Sequence, residues 1–344
     1  METLQIYDKE AGMRLDRFLK KRYPKLPIGL VFKLIRKRKV TLERKRASPD
    51  TRLHLGQTVE LFEDLSGFEL PPDEHVRRAA RRRESGHFRK NFKVIAEDDT
   101  IVVVNKPVGI VVHPGPQHHG GDTLLDLLKA HLPDAFTESS DYKPAFVHRL
   151  DRGTSGVLVA AKTREAANAL ETSFRTGLTH KTYLTIVKGV PSRAGGRIEF
   201  PLMRHRTLSG VSRWVAVKDR QKKRALAGKM QAASTRYEVR ERFGKAPRLE
   251  VEPEPGRTHQ IRVHLQAIGH PILGDGDYGD RVVNREFRAS CGLEHVVLHA
   301  RRIEFPHPVS GRPVSFKAPL PEDVERVLER LRRNAAKQRA ERER

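Results

Sequence analysis

One carboxylate, Asp151, stands between Arg149 and Arg152 in the run VHRLDRGTSGVLVAAK, which begins at Val147 and leads into a Thr-Ser-Gly turn. A carboxylate at a strand–loop boundary beside permanent cations stays ionised and accessible. That suits a nucleophile or a general base aimed at an electrophilic carbon. A surface ion pair in a turn uses the same residue types, so the triplet alone does not decide. Two further segments bear on it: NKPVGIVVHPG from Asn105 to Gly115, and GRTHQIRVHLQAIGHPILGDGDYG from Gly256 to Gly279. In the latter, a helix from about Thr258 to Ile268 would bring Thr258, Ile261, Arg262 and Leu265 near one face. One helix could then seat in a core and project a guanidinium.

Other chemistries fit poorly. His113, His118, His119, His259 and His264 make no HExxH or comparable ligand set, so no metal is expected. The glycine groups GPQHHGGD and GDGDYGD lack GxGxxG or Walker spacing, and read as turns bordering a cleft. Cys291 is the only cysteine, which excludes an intramolecular disulfide and a Cys-based zinc cluster; it reads as a small buried hydrophobe.

The elements that must position these residues belong to a chain of 344 residues, long enough for two domains and a linker. Lys and Arg number 67 against 43 Asp and Glu, a formal charge of +24, which calls for a polyanionic partner. Nucleic acid leads, because phosphates neutralised by Lys and Arg release counterions. No apolar run approaches a spanning length. The opening METLQIYDKE has neither the basic n-region nor the apolar core of a signal peptide, so a cytoplasmic protein is expected.

Residues 1–62 read as a small basic α/β unit. One amphipathic helix carries Met13, Leu15, Phe18 and Leu19. A second runs from Ile28 to Arg38, burying Leu30, Val31, Leu34 and Ile35 and ending in a basic run that includes Lys37 and Arg38. Short strands at Val40–Leu42 and Thr58–Phe62 follow. Residues 63–91 are too charged to pack alone and read as a basic linker. From 92 to 320, short β-rich runs alternate with Gly and Pro turns. Two helices interrupt them, at about Arg164–Phe174 and Thr258–Ile268, giving an α+β domain on a large, mainly antiparallel mixed sheet. The tail, 321–344, reads as a helix that becomes charged after Leu331 and frays over its last dozen residues.

In order and in detail, the three chemical segments resemble the RluA-type family of pseudouridine synthases. The front unit resembles the RNA-binding module typified by ribosomal small-subunit protein four. The resemblance implies an isomerase that converts uridine to pseudouridine in structured RNA after flipping out the target base. No redox step or group donor is needed, so no cofactor is expected. By the resemblance, Asp151 is the catalytic carboxylate, either attacking the anomeric carbon or removing the ribose 2′ proton. The arginine that pairs with it is drawn from GRTHQIR, with Arg262 favoured and Arg257 the other candidate. Tyr183 in HKTYLTIVKG matches the tyrosine that packs on the target base, and Arg149 the arginine that fills the space the nucleotide vacates. His148 reads as structural or as a hydrogen-bond orienter.

The architecture implies 23S ribosomal RNA or ribosome-assembly intermediates as the partner. Transfer RNA is the runner-up, and a catalytically silent RNA-binding assembly factor is the alternative from another class. The stretch from Met203 to Gly228, with Trp214, is longer and more basic than the family's usual link. It is either an RNA-reading loop or an ordinary surface hairpin.

Overall fold

The computed structural model describes residues 2–7, 10–23, 26–65, 68, 92–114, 123–137, 139–206, 212–219 and 230–342. The chain divides into two compact units, Met1–Gly86 and His87–Arg344. Most of the basic linker, the GPQHHGGD loop with His118 and His119, and residues 207–211 and 220–229 of the basic insertion lie outside the described residues.

The first unit contains β1 (Glu2–Gln5), α1 (Leu15–Arg22), α2 (Ile28–Arg36), β2 (Val40–Leu42) and β3 (Thr58–Leu61), with the strands antiparallel in the order β1-β3-β2. Leu15, Phe18 and Leu19 of α1 and Val31, Leu34 and Ile35 of α2 are buried at helical spacing, and pack with Leu53, Val59 and Leu61 of the sheet side. Met13 precedes α1, and both it and Leu30 are only partly buried; α2 ends at Arg36, short of the expected Arg38. Strand β1 was not foreseen, because four residues are too few to show an alternation. Lys37 and Arg38 follow α2 and are exposed; Arg38 takes a positive φ of 58° as the chain turns toward β2.

The second unit is built around a ten-stranded sheet. In chain order its elements are β4 (Lys93–Glu97), β5 (Ile101–Lys106), α3 (Leu124–His131), β6 (Ala145–Phe146), β7 (Ser155–Ala161), α4 (Arg164–Thr176), β8 (His180–Ile186) and β9 (Gly195–Ile198). There follow β10 (Leu202–Arg206), β11 (Ser212–Ala216), β12 (Ser234–Glu241), β13 (Arg248–Glu254), α5 (Gln260–Ala267), α6 (Arg281–Cys291), β14 (Leu298–Pro306), β15 (Pro313–Lys317) and α7 (Glu322–Arg342). The main sheet runs β4-β5-β7-β14-β8-β13-β12-β9, with β15 added on β14 and β6 on β7. Every pairing is antiparallel except β7 with β14. At that parallel contact Gly156 has φ +118°, and a Cβ there would meet the Ala300 carbonyl oxygen at 2.3 Å, so only glycine fits. β10 and β11 form a separate two-stranded ribbon in the basic insertion.

Four expectations about these elements need correction. The helix expected from Thr258 starts at Gln260, because His259 takes a left-handed conformation (φ 57°, ψ 15°) that breaks helical continuity. Helices α3 and α6 add to the two foreseen: α3 is short, and the face of α6 that packs inward has only Val283, Phe287 and Cys291 as apolar contacts. The terminal helix continues to Arg342, since it buries Val324, Val327, Leu328 and Leu331, and Arg332 beyond them pairs with Glu241. Cys291 is half-buried at the end of α6. No helix among the described residues is long and apolar enough to cross a membrane.

Candidate active site

Asp151 sits in the loop between β6 and β7, and that loop is pinned from below. Lys106, at the end of β5, is fully buried, and its Nζ donates to the carbonyls of Pro107 (2.9 Å) and Arg152 (3.3 Å). Arg152 donates through Nε to the Gly109 carbonyl at 2.9 Å, while the Gly109 N–H donates back to the Arg152 carbonyl at 2.8 Å. The NKPVG segment therefore clamps the residue after Asp151. Burial lowers the Lys106 pKa to about 7, against the opposing pull of the Asp151 charge.

Arg262 on α5 comes to Asp151 from the other side. Its Nη1 stands 3.4 Å from Asp151 Oδ2, and its remaining donors are committed elsewhere. Nε and Nη2 each reach Asp275 at 2.7 Å in a bidentate pair, and Nη2 also reaches Asp277 at 2.8 Å. The Asp275 side chain is fully buried and accepts the backbone N–H groups of Asp277 and Tyr278, both at 3.0 Å. Burial works against both charges, but the Asp275–Arg262 hydrogen bonds and attraction outweigh it. The Asp275 pKa is held below, and the Arg262 pKa above, the ordinary value. The Tyr278 ring covers the guanidinium, 4.9 Å from its centroid. Of the two arginines in GRTHQIR, Arg262 alone pairs with Asp151. Arg257 is exposed, with Nε 3.4 Å from the Ala232 carbonyl.

The start of α5 is set by Gln260, which is 2 % exposed. Its Oε1 accepts the N–H groups of Arg257 (2.7 Å) and Gly256 (3.3 Å), and its Nε2 donates to the Ser234 carbonyl at 2.7 Å. His259 then points back to the site: Nδ1 is 2.9 Å from the Tyr278 hydroxyl and Nε2 is 3.7 Å from Asp151 Oδ2. The Tyr278 hydroxyl accepts the backbone N–H of Trp214 at 3.2 Å, which links ribbon β10–β11 to this corner. His264 is fully buried between Thr235 Oγ1 and the Phe200 carbonyl, each at 2.8 Å.

Tyr183 on β8 is buried between β13 and β14. Burial, reinforced by the Asp151 charge, raises its pKa, so the ring carries a neutral hydroxyl. Together with Asp151 and Arg262 it lines a pocket of about 240 Å³. Thr154 in the same wall has a buried Oγ1 with no hydrogen-bond partner among the described residues. Lys181 donates to the Pro255 carbonyl at 2.9 Å beside the Phe174 ring, and burial lowers its pKa to about 8. His148 accepts the Val159 N–H at 3.1 Å and stacks on Phe174 with ring centroids 4.9 Å apart. Burial, helped by the Lys181 charge, lowers its pKa to about 3, which keeps it neutral as an acceptor. Arg149 is exposed at the rim of the pocket. Lys37 and Arg38 belong to the first unit and are described with it.

Three site residues were not singled out in the sequence: Asp275, Lys106 and Thr154. Asp275 was hidden among the glycines of GDGDYGD, and the signal that could have found it is a second carboxylate within reach of a buried arginine. Among the described residues no cluster of His, Cys, Asp and Glu is arranged to hold a metal.

What the arrangement can do chemically is narrow. A carboxylate with one oxygen facing an anchored guanidinium, in a pocket walled by an aromatic ring, can act as nucleophile or base on one small group that enters. Residues 100–267 match the family model described as RNA pseudouridylate synthase. The chain is 36% identical over 340 residues to Ribosomal large subunit pseudouridine synthase C of Escherichia coli (strain K12), covering 96% of this chain and 97% of that protein. Its similarity to the protein of the same name from Haemophilus ducreyi is 34% identity, covering 96% of both chains. Among solved structures, Human RNA Pseudouridylate Synthase Domain Containing 4 superposes with a TM-score of 0.56 at 25% identity, over 75% of this chain and 98% of that one.

Proposed function

The chain belongs to the RluA-type RNA pseudouridylate synthases and is an RNA pseudouridine synthase, an isomerase; we propose that its substrate is 23S ribosomal RNA and that Asp151 is its catalytic carboxylate. The observation that carries the residue assignment is the Arg262 contact at 3.4 Å, made by a guanidinium that Asp275 and Asp277 hold in place. The rRNA reading rests on relatives named for the large ribosomal subunit that align over nearly the whole chain, front unit included. Such a substrate puts the enzyme in the cytoplasm.

The pocket of about 240 Å³ is far too narrow for a duplex and suits one flipped nucleotide. Unstacking costs a few kcal/mol, and Arg149 at the rim offsets it by entering the vacated space or by holding a phosphate. Asp151 attacks C1′ or removes the 2′ proton, and the C1′–N1 bond breaks. The detached uracil is restrained by the Tyr183 ring, which holds a flat base without fixing its rotation. Carbon 5 then bonds to C1′ as the Asp151–C1′ bond breaks or, on the other route, as Asp151 returns the proton to C2′; the C5 proton leaves and N1 gains a proton, so atoms balance with no donor or cofactor. Arg262 acts on the aim and charge of Asp151. His148, neutral and bonded to the β7 backbone, supports the wall, and Arg152 and Arg257 line the approach. The first unit, with Lys37 and Arg38 exposed after α2, adds RNA affinity.

The test is a map of pseudouridine by carbodiimide-dependent primer stops in ribosomal and transfer RNA from cells with and without the gene. A 23S site should be lost on deletion and restored by the wild type but not by Asp151→Asn. A lost site in transfer RNA would move the substrate. Restoration by Asp151→Asn would refute the carboxylate assignment, and unchanged maps would favour a silent RNA binder.

A further inference from the structure

Helix α6 carries Arg281, Arg285 and Arg288 at intervals of four and three residues, which places them on one face. All three are exposed and line a cleft of about 790 Å³ whose wall also includes Asp151 and Arg149. Among the described residues their guanidinium groups make no ion pair or hydrogen bond. The carboxylates in that wall do not balance them: Asp151 and Asp277 face Arg262, which leaves Glu294.

The rest of α6 is firmly held. Val283, Phe287 and Cys291 pack against a cluster that includes Val324 and Leu328 of α7. Asn284 accepts the Gly274 N–H at 2.8 Å and donates to the Asp275 carbonyl at 2.9 Å. Asp280 caps the helix by accepting the N–H groups of Val282 and Val283, and pairs with Lys188. Three like charges on one fixed face repel each other and add nothing to the fold, so their use lies in what they face. Arginine suits phosphate, which it grips with paired N–H donors. From Arg281 to Arg288 the ridge is about 10 Å long, enough to follow more than one phosphate of a strand.

We propose that the arginine face of α6 binds the sugar-phosphate backbone of the RNA strand that flanks the flipped uridine. The contact is made by charge and carries no base sequence. The proposal rests on the reading of the chain as an RNA pseudouridine synthase.

The experiment uses the full chain and an rRNA fragment, with affinity measured across a salt series for the wild type and two triple variants, one with Arg281, Arg285 and Arg288 each changed to Gln and one with each changed to Lys. The Gln variant should bind roughly tenfold or more weakly at low salt, and its slope of log affinity against log salt should flatten by about two to three. The Lys variant should keep most of the slope. Thermal melts matching the wild type show that the fold is intact. An unchanged affinity and slope in the Gln variant would overturn the proposal and leave this face to an acidic protein partner. A slope lost equally in the Lys variant would overturn the phosphate contact. Binding is read here without turnover, so an enzyme that modifies no 23S site would refute the substrate reading and leave this result to stand or fall alone.

Discussion

The two ends of the cleft use arginine in opposite ways. Arg262 has a side chain only 9% exposed and faces three carboxylates, one of them completely buried. Arg281, Arg285 and Arg288 lie in the open with no carboxylate committed to them. A buried, fully paired charge is costly to desolvate and contributes little net stability, but its position is defined. An exposed, unpaired charge has no fixed geometry, yet it attracts a polyanion over a distance that salt controls. On the proposed assignments the difference teaches that charge serves two tasks in this enzyme: the buried end acts on the rate of chemistry, and the open end on affinity.

The largest effect that sharpens this contrast should come from the buried end. Asp275→Asn removes the carboxylate that makes the bidentate grip, and a guanidinium displaced by about 1 Å can cost on the order of 100-fold in rate. The same change leaves a buried cation less well paired and should lower unfolding free energy by about 3 kcal/mol in urea titrations. A full-rate Asp275→Asn enzyme would show that Asp151 needs no anchored partner.

Tyr183 should give a smaller effect. Tyr183→Phe keeps the ring and should stay within about tenfold of the wild-type rate, while Tyr183→Leu loses the stacking wall and should fall much further. Equal losses in the two variants, read from tritium released from carbon 5, would assign the role to the hydroxyl rather than the ring.

The smallest effect is on stability alone. Lys106 has a folded pKa of about 7 against an ordinary 10.5, so the unfolded chain binds the extra proton between those values. The cost of burying its ammonium is fully present below pH 7 and is relieved as pH rises toward 10.5, at up to about 1.4 kcal/mol per pH unit. Stability of the wild type should therefore gain on Lys106→Met between pH 7 and 9. A constant difference would mean that the amine is not depressed.

Much of this site was legible because its chemistry is written in contiguous residues. Asp151 and its flanking arginines can be read locally, as can an α+β domain from the alternation of short strands; Tyr183 and the arginine of GRTHQIR stand out only through the resemblance to the RluA-type family. What could not be read depends on the fold closing. The link between Asp275 and Arg262 joins residues 13 apart in sequence through a glycine-rich turn that by itself signals only a bend. The start of α5 hinges on one left-handed histidine, a conformation that propensity does not anticipate. Lys106 was visible within its motif, but a lysine buried in a core runs against every compositional expectation. Helix α6 hid because so little of it is apolar on the inner side, and its arginines gain meaning only beside the cleft.

The division of labour is tested most directly by two constants measured on one 23S fragment with Asp275→Asn: the single-turnover rate at saturating RNA and the dissociation constant. The account predicts a rate lowered by roughly 100-fold with affinity within about threefold of the wild type. A loss that falls mainly on affinity, with the saturating rate preserved, would contradict it.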